Sequence, residues 1–330
     1  VTARIAYFVH GNGRGHAMRA LSLVPALRAH GHEVQLYAGG DAVDVLREIG
    51  SRDLDTFDPG KRLGRRFAAR FAADRRLLRD IKPDLVVTDG DAPSLHAATL
   101  ARVPRIAVGH GLLLAHCHLP IALPMRLRIH GALNAGSASW LANRIIVVHF
   151  GELEPFSSRT VLAWPDPRPE LVEGHVKPGH GLVVYAGQTD VSDYVRLLHE
   201  RGHRLVVFGR ARDLPVGVVA ERPSVERFAA ALRACRGIVG TAGSNLIADS
   251  IALRRPLLLL PASHMVEQQV NALLAEREGI AVAARPEEVD LRAIERFEAL
   301  LGSGVPRVEP KAPIATEALL ACVDELVSRG

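Results

Sequence analysis

The sequence predicts an α/β protein built from two doubly wound, mainly parallel sheets. Three observations predict it. At 330 residues the chain exceeds one typical domain and suits two of roughly 150 residues each. Short β-branched runs alternate with helical patterns from end to end. The alternation then restarts after an interruption rich in proline and glycine, so two sheets are expected rather than one.

In the first half the strand-like runs are 4–10, 33–38, 84–89, 105–109 and 144–150, the first four followed by glycine, proline or acidic turn chemistry. Residues 152–181 hold Pro155, Pro165, Pro167, Pro169, Gly174, Pro178 and Gly179, which cannot sustain a helix or a central strand. This stretch reads as an interdomain linker. The second set of runs is 182–186, 204–208, 237–239, 256–260 and 280–284. A proline-interrupted segment, 305–313, precedes a final helix over 314–328, which has the option of crossing back onto the first domain. The expected division is therefore 1–151, a linker over 152–181, and 182–330.

Hydrophobic residues make up 48% of the chain and charged ones 23%, the composition of an ordinary soluble globular protein. Cys117, Cys235 and Cys322 lie far apart and form no CxxC pair, so neither a disulfide framework nor a zinc knuckle is expected, and a reducing cytoplasm fits best. The first apolar run is too short for a signal sequence, and no run approaches the ~20 residues that span a bilayer. The formal charge of +5 is concentrated in residues 61–79. There Arg62, Arg65, Arg66, Arg70, Arg75, Arg76 and Arg79 interrupt Leu63, Phe67, Phe71, Leu77 and Leu78, the pattern of a basic amphipathic helix. Its plain reading is a solvated face; its sharper one is peripheral contact with an anionic membrane, on the inner face, or with an acidic acceptor. Nucleic acid is not expected, because aromatics are only 5% and no binding motif is present.

The first strand runs into His10-Gly11-Asn12-Gly13-Arg14-Gly15-His16 and then a helix. Glycines let the backbone approach a ligand, and the helix entrance presents amides to it. The spacing is GxGxG, and no acid closes the second strand before Asp41, so a dinucleotide fingerprint is not matched. His16 falls at the carboxyl edge of the sheet, where open α/β folds bind ligands. An imidazole there can accept a proton near neutrality, and Asp89, closing the run 84–89, can orient its ring. The alternative is that His16 ties down the loop and Asp89 caps a helix.

In the second half, Gly240-Thr241-Ala242-Gly243-Ser244-Asn245 leaves a strand and opens a helix. Amides at Gly243 and Ser244 would face an anion, and the helix dipole would stabilise its charge without a metal. Asp249 follows within the helix, then Pro256, Pro261, Glu267-Gln268 and Asn271-Ala272. This run resembles the donor signature of GT-B glycosyltransferases, both the UDP-sugar transferases and the N-acetylglucosaminyltransferases of peptidoglycan synthesis. Upstream, Pro223-Ser224-Val225-Glu226 is similar to the start of that signature. The resemblance implies two Rossmann-like domains facing across a cleft. It implies diphosphate contacts at Gly243, Ser244 and Asn245, ribose at Asp249, sugar hydroxyls at Glu267 and Gln268, and Ser224 within the donor site. Gly187-Gln188 matches a phosphate-facing loop, and Gly13, Arg14, Gly15 and His16 the acceptor side. Glu221-Arg222 stands where the plant enzymes carry a stacking tryptophan, which leaves uracil and thymine both open, and Thr241 replaces a usual histidine.

His110, His116 and His118 surround Cys117; His110, ending a strand, is read as an acceptor-pocket residue rather than a metal ligand. The expected reaction is inverting, metal-independent transfer from a UDP- or TDP-sugar to the hydroxyl of a small-molecule, lipid or saccharide acceptor, with no cofactor. The acceptor is deprotonated by His16, with Asp89 behind it. Hydrolysis of the nucleotide sugar, suggested by the resemblance of 13–19 to a hydrolase of pseudaminic acid synthesis, is the alternative. A UDP-GlcNAc epimerase and a non-catalytic sensor are further ones.

Overall fold

The computed structural model describes residues 2–11, 15–55, 63–136, 138–172, 179–187, 189–209, 213–221 and 224–328. Gly13, Arg14 and Gln188, named above for the ligand loops, lie outside the described residues. The chain divides into two units, one of residues 1–166 with 310–330 and one of residues 167–309.

The first unit runs β1 (Arg4–Val9), α1 (Gly15–Ala29), β2 (Glu33–Ala38), α2 (Asp41–Leu46), β3 (Arg52–Asp53), α3 (Leu63–Ile81), β4 (Leu85–Asp89), α4 (Ala92–Leu100) and β5 (Arg105–Gly109). It continues with α5 (Leu113–His116), β6 (Cys117–His118), α6 (Met125–Gly136), β7 (Arg144–Val148), β8 (Glu154–Pro155) and β9 (Thr160–Ala163). Seven strands form a parallel sheet in the order β3-β2-β1-β4-β5-β7-β9. Central strands such as β4, Leu85-Val86-Val87-Thr88-Asp89, are buried at every position, as a parallel sheet covered by helices on both faces requires. On one face Ile5, Tyr7 and Val9 pack with Leu23 and Leu27 of α1. On the other, Ala6 and Phe8 pack with Leu78 of α3 and Ala97 of α4.

The second unit runs α7 (Pro169–Val172), β10 (Gly181–Gly187), α8 (Ser192–Glu200), β11 (Arg204–Gly209), β12 (Val219–Glu221), α9 (Val225–Ala234), β13 (Gly237–Gly240), α10 (Ser244–Leu253), β14 (Leu257–Leu259), α11 (Val266–Arg277), β15 (Ala281–Ala283) and α12 (Leu291–Ser303). Its parallel sheet has the order β12-β11-β10-β13-β14-β15. Leu182, Val184, Val195, Leu205, Val239 and Phe297 lie in its core.

Both sheets have a point at which the winding reverses, between β1 and β4 in the first and between β10 and β13 in the second. Loops diverge there and leave a crevice at the carboxyl edge. The glycine turns singled out in the sequence follow β1 and β13, so both open on such a point.

The linker assignment needs correction. Within 152–181, β9 is a full member of the first sheet, pairing Ile145 with Thr160 through Val148 with Ala163. Four residues between prolines carry no readable period, and an edge strand with one paired side tolerates such flanks. The last helix, α13 (Ala315–Val327), belongs to the first unit, where Leu319, Cys322 and Val323 join the core of α1. Arg144 at the start of β7 clamps Glu325 of α13 through both carboxylate oxygens.

Helix α3 is also less uniformly solvated than its sequence suggests. Arg65, Arg66, Arg75, Arg76 and Arg79 are exposed, but Arg70 is buried. It donates to Asp74 at 2.9 Å and to Asp91 at 3.0 Å. Burial pushes the Asp74 carboxyl up to about 7 against the pull of Arg70, and its second oxygen has no hydrogen-bond partner. Because the native state binds this proton more tightly than the unfolded chain, stability present near pH 4 is lost as the pH rises towards 7. The melting temperature of Asp74→Asn relative to wild type is therefore expected to climb between pH 5 and pH 8. A difference that stays flat across that range would contradict the assignment. No helix among the described residues is long and apolar enough to cross a membrane.

Candidate active site

Register brings the first site together. Val9, ending β1, pairs with Asp89, ending β4, and the His10 amide donates to the Asp89 carbonyl at 2.9 Å. His16 sits in the first turn of α1, one loop beyond β1. Its Nδ1 lies 2.6 Å from Asp89 Oδ1. The carboxylate can only accept, so Nδ1 carries the hydrogen and Nε2 presents its lone pair. The two residues chosen from sequence do meet, whereas the helix cap assigned to Asp89 in the alternative reading belongs to Asp91, which accepts from the Ser94 amide.

Arg19 was not assigned a role from sequence, although it stands three residues after His16 on the same helix face. Its Nε donates to Asp89 Oδ2 at 2.7 Å and its Nη2 to Oδ1 at 2.8 Å. The Asp89 side chain is fully buried, which by itself would raise its pKa; Arg19 first and His16 next outweigh this and hold it below the usual carboxylate range. Asp89 is thus a fixed anion, shared between a clamp and a histidine. The His16 side chain keeps 31% of its exposure and can reach a ligand. His10 lies edge-on to His16 with ring centres 5.7 Å apart, and its pKa is lowered by burial first and by His16 second.

Gly90 sets the position of the His16 ring. Its φ is +75°, and a Cβ there would lie 2.7 Å from His16 Cε1 and 3.1 Å from Nδ1. Gly90→Ala is expected to cost about 1–2 kcal/mol through the left-handed backbone alone and to lower kcat by pushing the ring off Asp89. Chemical denaturation and steady-state kinetics measure the two effects separately, and unchanged kcat would refute the second.

Of the described residues named for the second site, Gly187 ends β10, Gly243, Ser244, Asn245 and Asp249 belong to the start and body of α10, Ser224 begins α9, and Glu267 and Gln268 lie on α11. Gly187 (φ +57°) ends β10, and a Cβ on it would meet Thr241 Oγ1 at 3.5 Å, so the two glycine turns lie side by side. The Asn271 amide, fully buried on α11, donates to the Ala242 carbonyl at 2.9 Å and fixes the turn from below. The expectation of an open Gly243 amide is corrected: that N–H donates to Thr241 O at 2.8 Å. The first bond within α10 runs from Ile247 to Gly243, so the amides of Ser244, Asn245 and Leu246 have no acceptor inside the helix. These amides, rather than that of Gly243, are the ones left open at the start of α10. Gly243 itself has φ −72°, and a Cβ there would meet nothing within 4 Å. Gly243→Ala should leave stability within about 1 kcal/mol, the poorer helix cap offsetting the stiffer unfolded chain. If a nucleoside diphosphate sits on this turn, as the resemblance implies, its affinity should nevertheless fall about tenfold or more, because the methyl enters the open space beside it. Calorimetric titration checks this, and unchanged affinity would place the diphosphate elsewhere.

Asp249 lies on α10, only 6% exposed, but it is not an open receptor for ribose. Arg168 donates to Oδ1 at 2.8 Å and to Oδ2 at 2.5 Å. Burial raises the Asp249 carboxyl to about 6, with Arg168 pulling the other way. Arg168 is 81 residues away in a proline-rich stretch, and nothing in its local sequence signals the pairing. Gln268 is likewise engaged, its Oε1 accepting from the Ala262 amide at 3.0 Å. Glu267 stands half-buried in the first turn of α11, and Ser224 caps α9 through the Arg227 amide.

His110 is buried, and its Nδ1 donates to the Val148 carbonyl at 2.8 Å. His116 bonds Ser139 at 2.6 Å and is lowered to about 4 by burial, then Arg159, while His118 packs on Phe156. They do not converge on Cys117. Among the described residues, His30, His32 and Asp324 are grouped closely enough to hold a metal ion, and they lie at the opposite edge of the sheet from His16.

A family model described as glycosyl transferase family 1 matches residues 64–301. Over 370 aligned residues the chain is 23% identical to the UDP-N-acetylglucosamine--N-acetylmuramyl-(pentapeptide) pyrophosphoryl-undecaprenol N-acetylglucosamine transferase of Lacticaseibacillus casei (strain BL23), covering 97% of this chain and 98% of that one. Among solved structures, MurG of Acinetobacter baumannii aligns with a TM-score of 0.63 at 17% identity, over 98% of this chain and 99% of its own. The glycosyltransferase VinC in complex with dTDP gives 0.62 at 16%, over 99% and 100%. At such identities the structural likeness speaks for the fold.

Proposed function

The chain belongs to glycosyl transferase family 1 and has the GT-B fold, and from that premise we propose an inverting, metal-independent sugar transfer from a UDP- or TDP-sugar to an acceptor hydroxyl, with His16 as base. The observation that carries this reading is the His16, Asp89 and Arg19 constellation at the reversal point of the first sheet. His16 Nε2 takes the acceptor proton as the oxygen forms its bond to the anomeric carbon and the bond to the diphosphate breaks. The resulting imidazolium is held by the Asp89 carboxylate. Arg19 keeps that carboxylate ionised and in place, so Asp89 orients the ring and steadies its charge. In the second unit, negative charge on the departing diphosphate falls on the amides of Ser244 and Asn245 and on the positive end of α10, which supports catalysis without a metal. The names of the relatives include both UDP and dTDP, and Glu221 is compatible with either base.

Turnover of UDP- and TDP-sugars with chelator present, followed by NMR of the product's anomeric carbon, tests the proposal. An inverted product formed undiminished in EDTA is expected. Retention of configuration, or activity that dies with EDTA and returns with magnesium, would overturn it.

The same reading extends to a cytoplasmic protein that touches the inner membrane face. Five exposed arginines line α3, and α6 exposes Met125, Ile129 and Leu133, one turn apart along a single stripe. Each arginine near an anionic surface contributes about 1 kcal/mol, screened by salt. Sedimentation with phosphatidylglycerol vesicles but not phosphatidylcholine vesicles, lost on Arg→Gln substitution along α3, is the supporting result; equal binding to both would remove the electrostatic role.

A further inference from the structure

Strand β4 ends at Asp89, and Gly90-Asp91 lead from it into α4. Both carboxylates of this short loop are held by buried arginines, one from each face of the sheet. Arg19 reaches Asp89 from α1, on the face that packs on Leu23 and Leu27. Arg70 reaches Asp91 from α3, on the opposite face, its Nη2 donating to Oδ2 at 3.0 Å. Its Nε is engaged by Asp74 Oδ1 at 2.9 Å and its Nη1 by the Asp55 carbonyl at 2.5 Å. Gly90 stands between the two clamps. A Cβ on it would lie 2.7 Å from His16 Cε1 and 3.2 Å from His10 Cβ, so the loop backbone is packed against both histidines.

Stability does not account for Arg70. Its side chain is 4% exposed, and those of Asp74 and Asp91 are 0 and 2% exposed. Taking such charges out of water offsets most of their attraction, and well-packed apolar side chains in the same places are often as stable or more so. The balance here is poorer still, because the second oxygen of Asp74 has no hydrogen-bond partner. What the arrangement does fix is direction. A guanidinium presents its donors in a rigid planar fork, which sets Asp55, Asp74 and Asp91 at fixed angles about one group. Asp91 passes that constraint to the backbone: its amide donates to Thr88 Oγ1 at 3.1 Å, and its carboxylate caps α4 by accepting from the Ser94 amide at 3.2 Å. The charges of Asp91 and Arg70 also reach His10, with opposite signs.

We propose that Arg70 is a positioning residue for the reaction: by clamping Asp91 it fixes Gly90 and, through that loop, the His16 ring against Asp89. The proposal rests on the transfer reading in so far as it calls His16 the base. Arg70 is buried and acts through the loop rather than on a ligand. The same helix that carries the exposed arginines thus carries one that faces inward and sets the geometry of the site.

Asp91→Ser isolates the contact. Serine still caps α4 but is too short to reach Arg70, which keeps Asp74. We expect kcat to fall about 10–100-fold, the scale of a small misplacement of a reacting group, with donor KM within about twofold of wild type, since ground-state binding of the donor is untouched. Long-range proton–nitrogen spectra of protein labelled at histidine read the ring itself, the His16 signals being those lost in His16→Ala. Wild type should show one neutral form, with the hydrogen on Nδ1, and Asp91→Ser a mixture with the form that carries it on Nε2. Arg70→Met should do the same, and the double variant should be no slower than the slower single one, because both substitutions remove one contact. Asp91→Ser alone decides the matter if Arg70→Met does not fold. A pure Nδ1–H form or an unchanged kcat in Asp91→Ser overturns the proposal, as do effects that multiply in the double variant. A donor KM that rises in step with the fall in kcat marks a general loosening and overturns it too. The spectra need neither donor nor acceptor, so they test the positioning independently of sugar transfer, which turnover of the wild type decides.

Discussion

His16→Ala is expected to lower kcat about 10²–10⁴-fold, the span attributed to a positioned general base, while leaving the affinity for UDP or TDP within about twofold of wild type, within ordinary binding error. The two effects separate because the donor residues proposed here, the amides of Ser244 and Asn245, belong to the second unit, whereas His16 belongs to the first. His16 retains solvent access, and its removal leaves Asp89 paired with Arg19, so stability should change little. Steady-state kinetics with calorimetric titration of the nucleotide checks both halves. Full turnover in the variant would remove His16 from the chemistry.

Asp89→Asn should be at least as damaging, by a different route. Oδ1 accepts from His16 and Arg19, and Oδ2 accepts from Arg19. An amide can accept at one of these positions only. If its nitrogen replaces Oδ2, it faces the Arg19 Nε–H; if it replaces Oδ1, it faces two donors. One bond breaks in the first orientation and two in the second. A nearly buried guanidinium then loses its anion, a change that costs about 3–5 kcal/mol when a buried pair is broken. His16 also loses the acceptor that fixes its proton on Nδ1, and kcat is expected to fall about 10²–10⁴-fold on the same scale as loss of the base. Denaturant unfolding alongside kinetics distinguishes the two costs. A variant with wild-type stability would show that Arg19 finds another anion.

The central strands were legible because burial on both faces writes them as continuous apolar runs, such as Val183-Val184 or Leu257-Leu258-Leu259. The edges were not. β3 is Arg52-Asp53 and β12 is Val219-Ala220-Glu221, too short for any period and polar enough to pass as turns. β9 was hidden between prolines. His16 and Asp89 could be joined from sequence because each follows directly from a strand end at one edge of one sheet. The long-range partners at the two sites could not. Gly90 acts through a contact with a ring 74 positions earlier, and Arg168 acts on a carboxylate 81 positions later. Asn271 reaches back 29 positions to a backbone carbonyl. Local pattern reports strand ends well, whereas long-range polar partners are fixed only by packing.

In the first unit, Trp164 bridges to Ile314, with Trp164 donating to Pro313 O and Ala315 donating to Trp164 O. The chain thus departs from the first unit and re-enters it at neighbouring positions. In the language of gene architecture, residues 167–309 are an insertion within a host domain whose last helix is supplied after the guest ends. A stop codon at 309 would strip the α1 face of Leu319 and Val323, so the host cannot be expressed as its amino-terminal part alone. The guest can be exchanged as one cassette at two adjacent junctions. Recombination that exchanges residues 167–309 therefore has to preserve the ends stapled at Trp164, and leaves the core sequence of the first unit untouched.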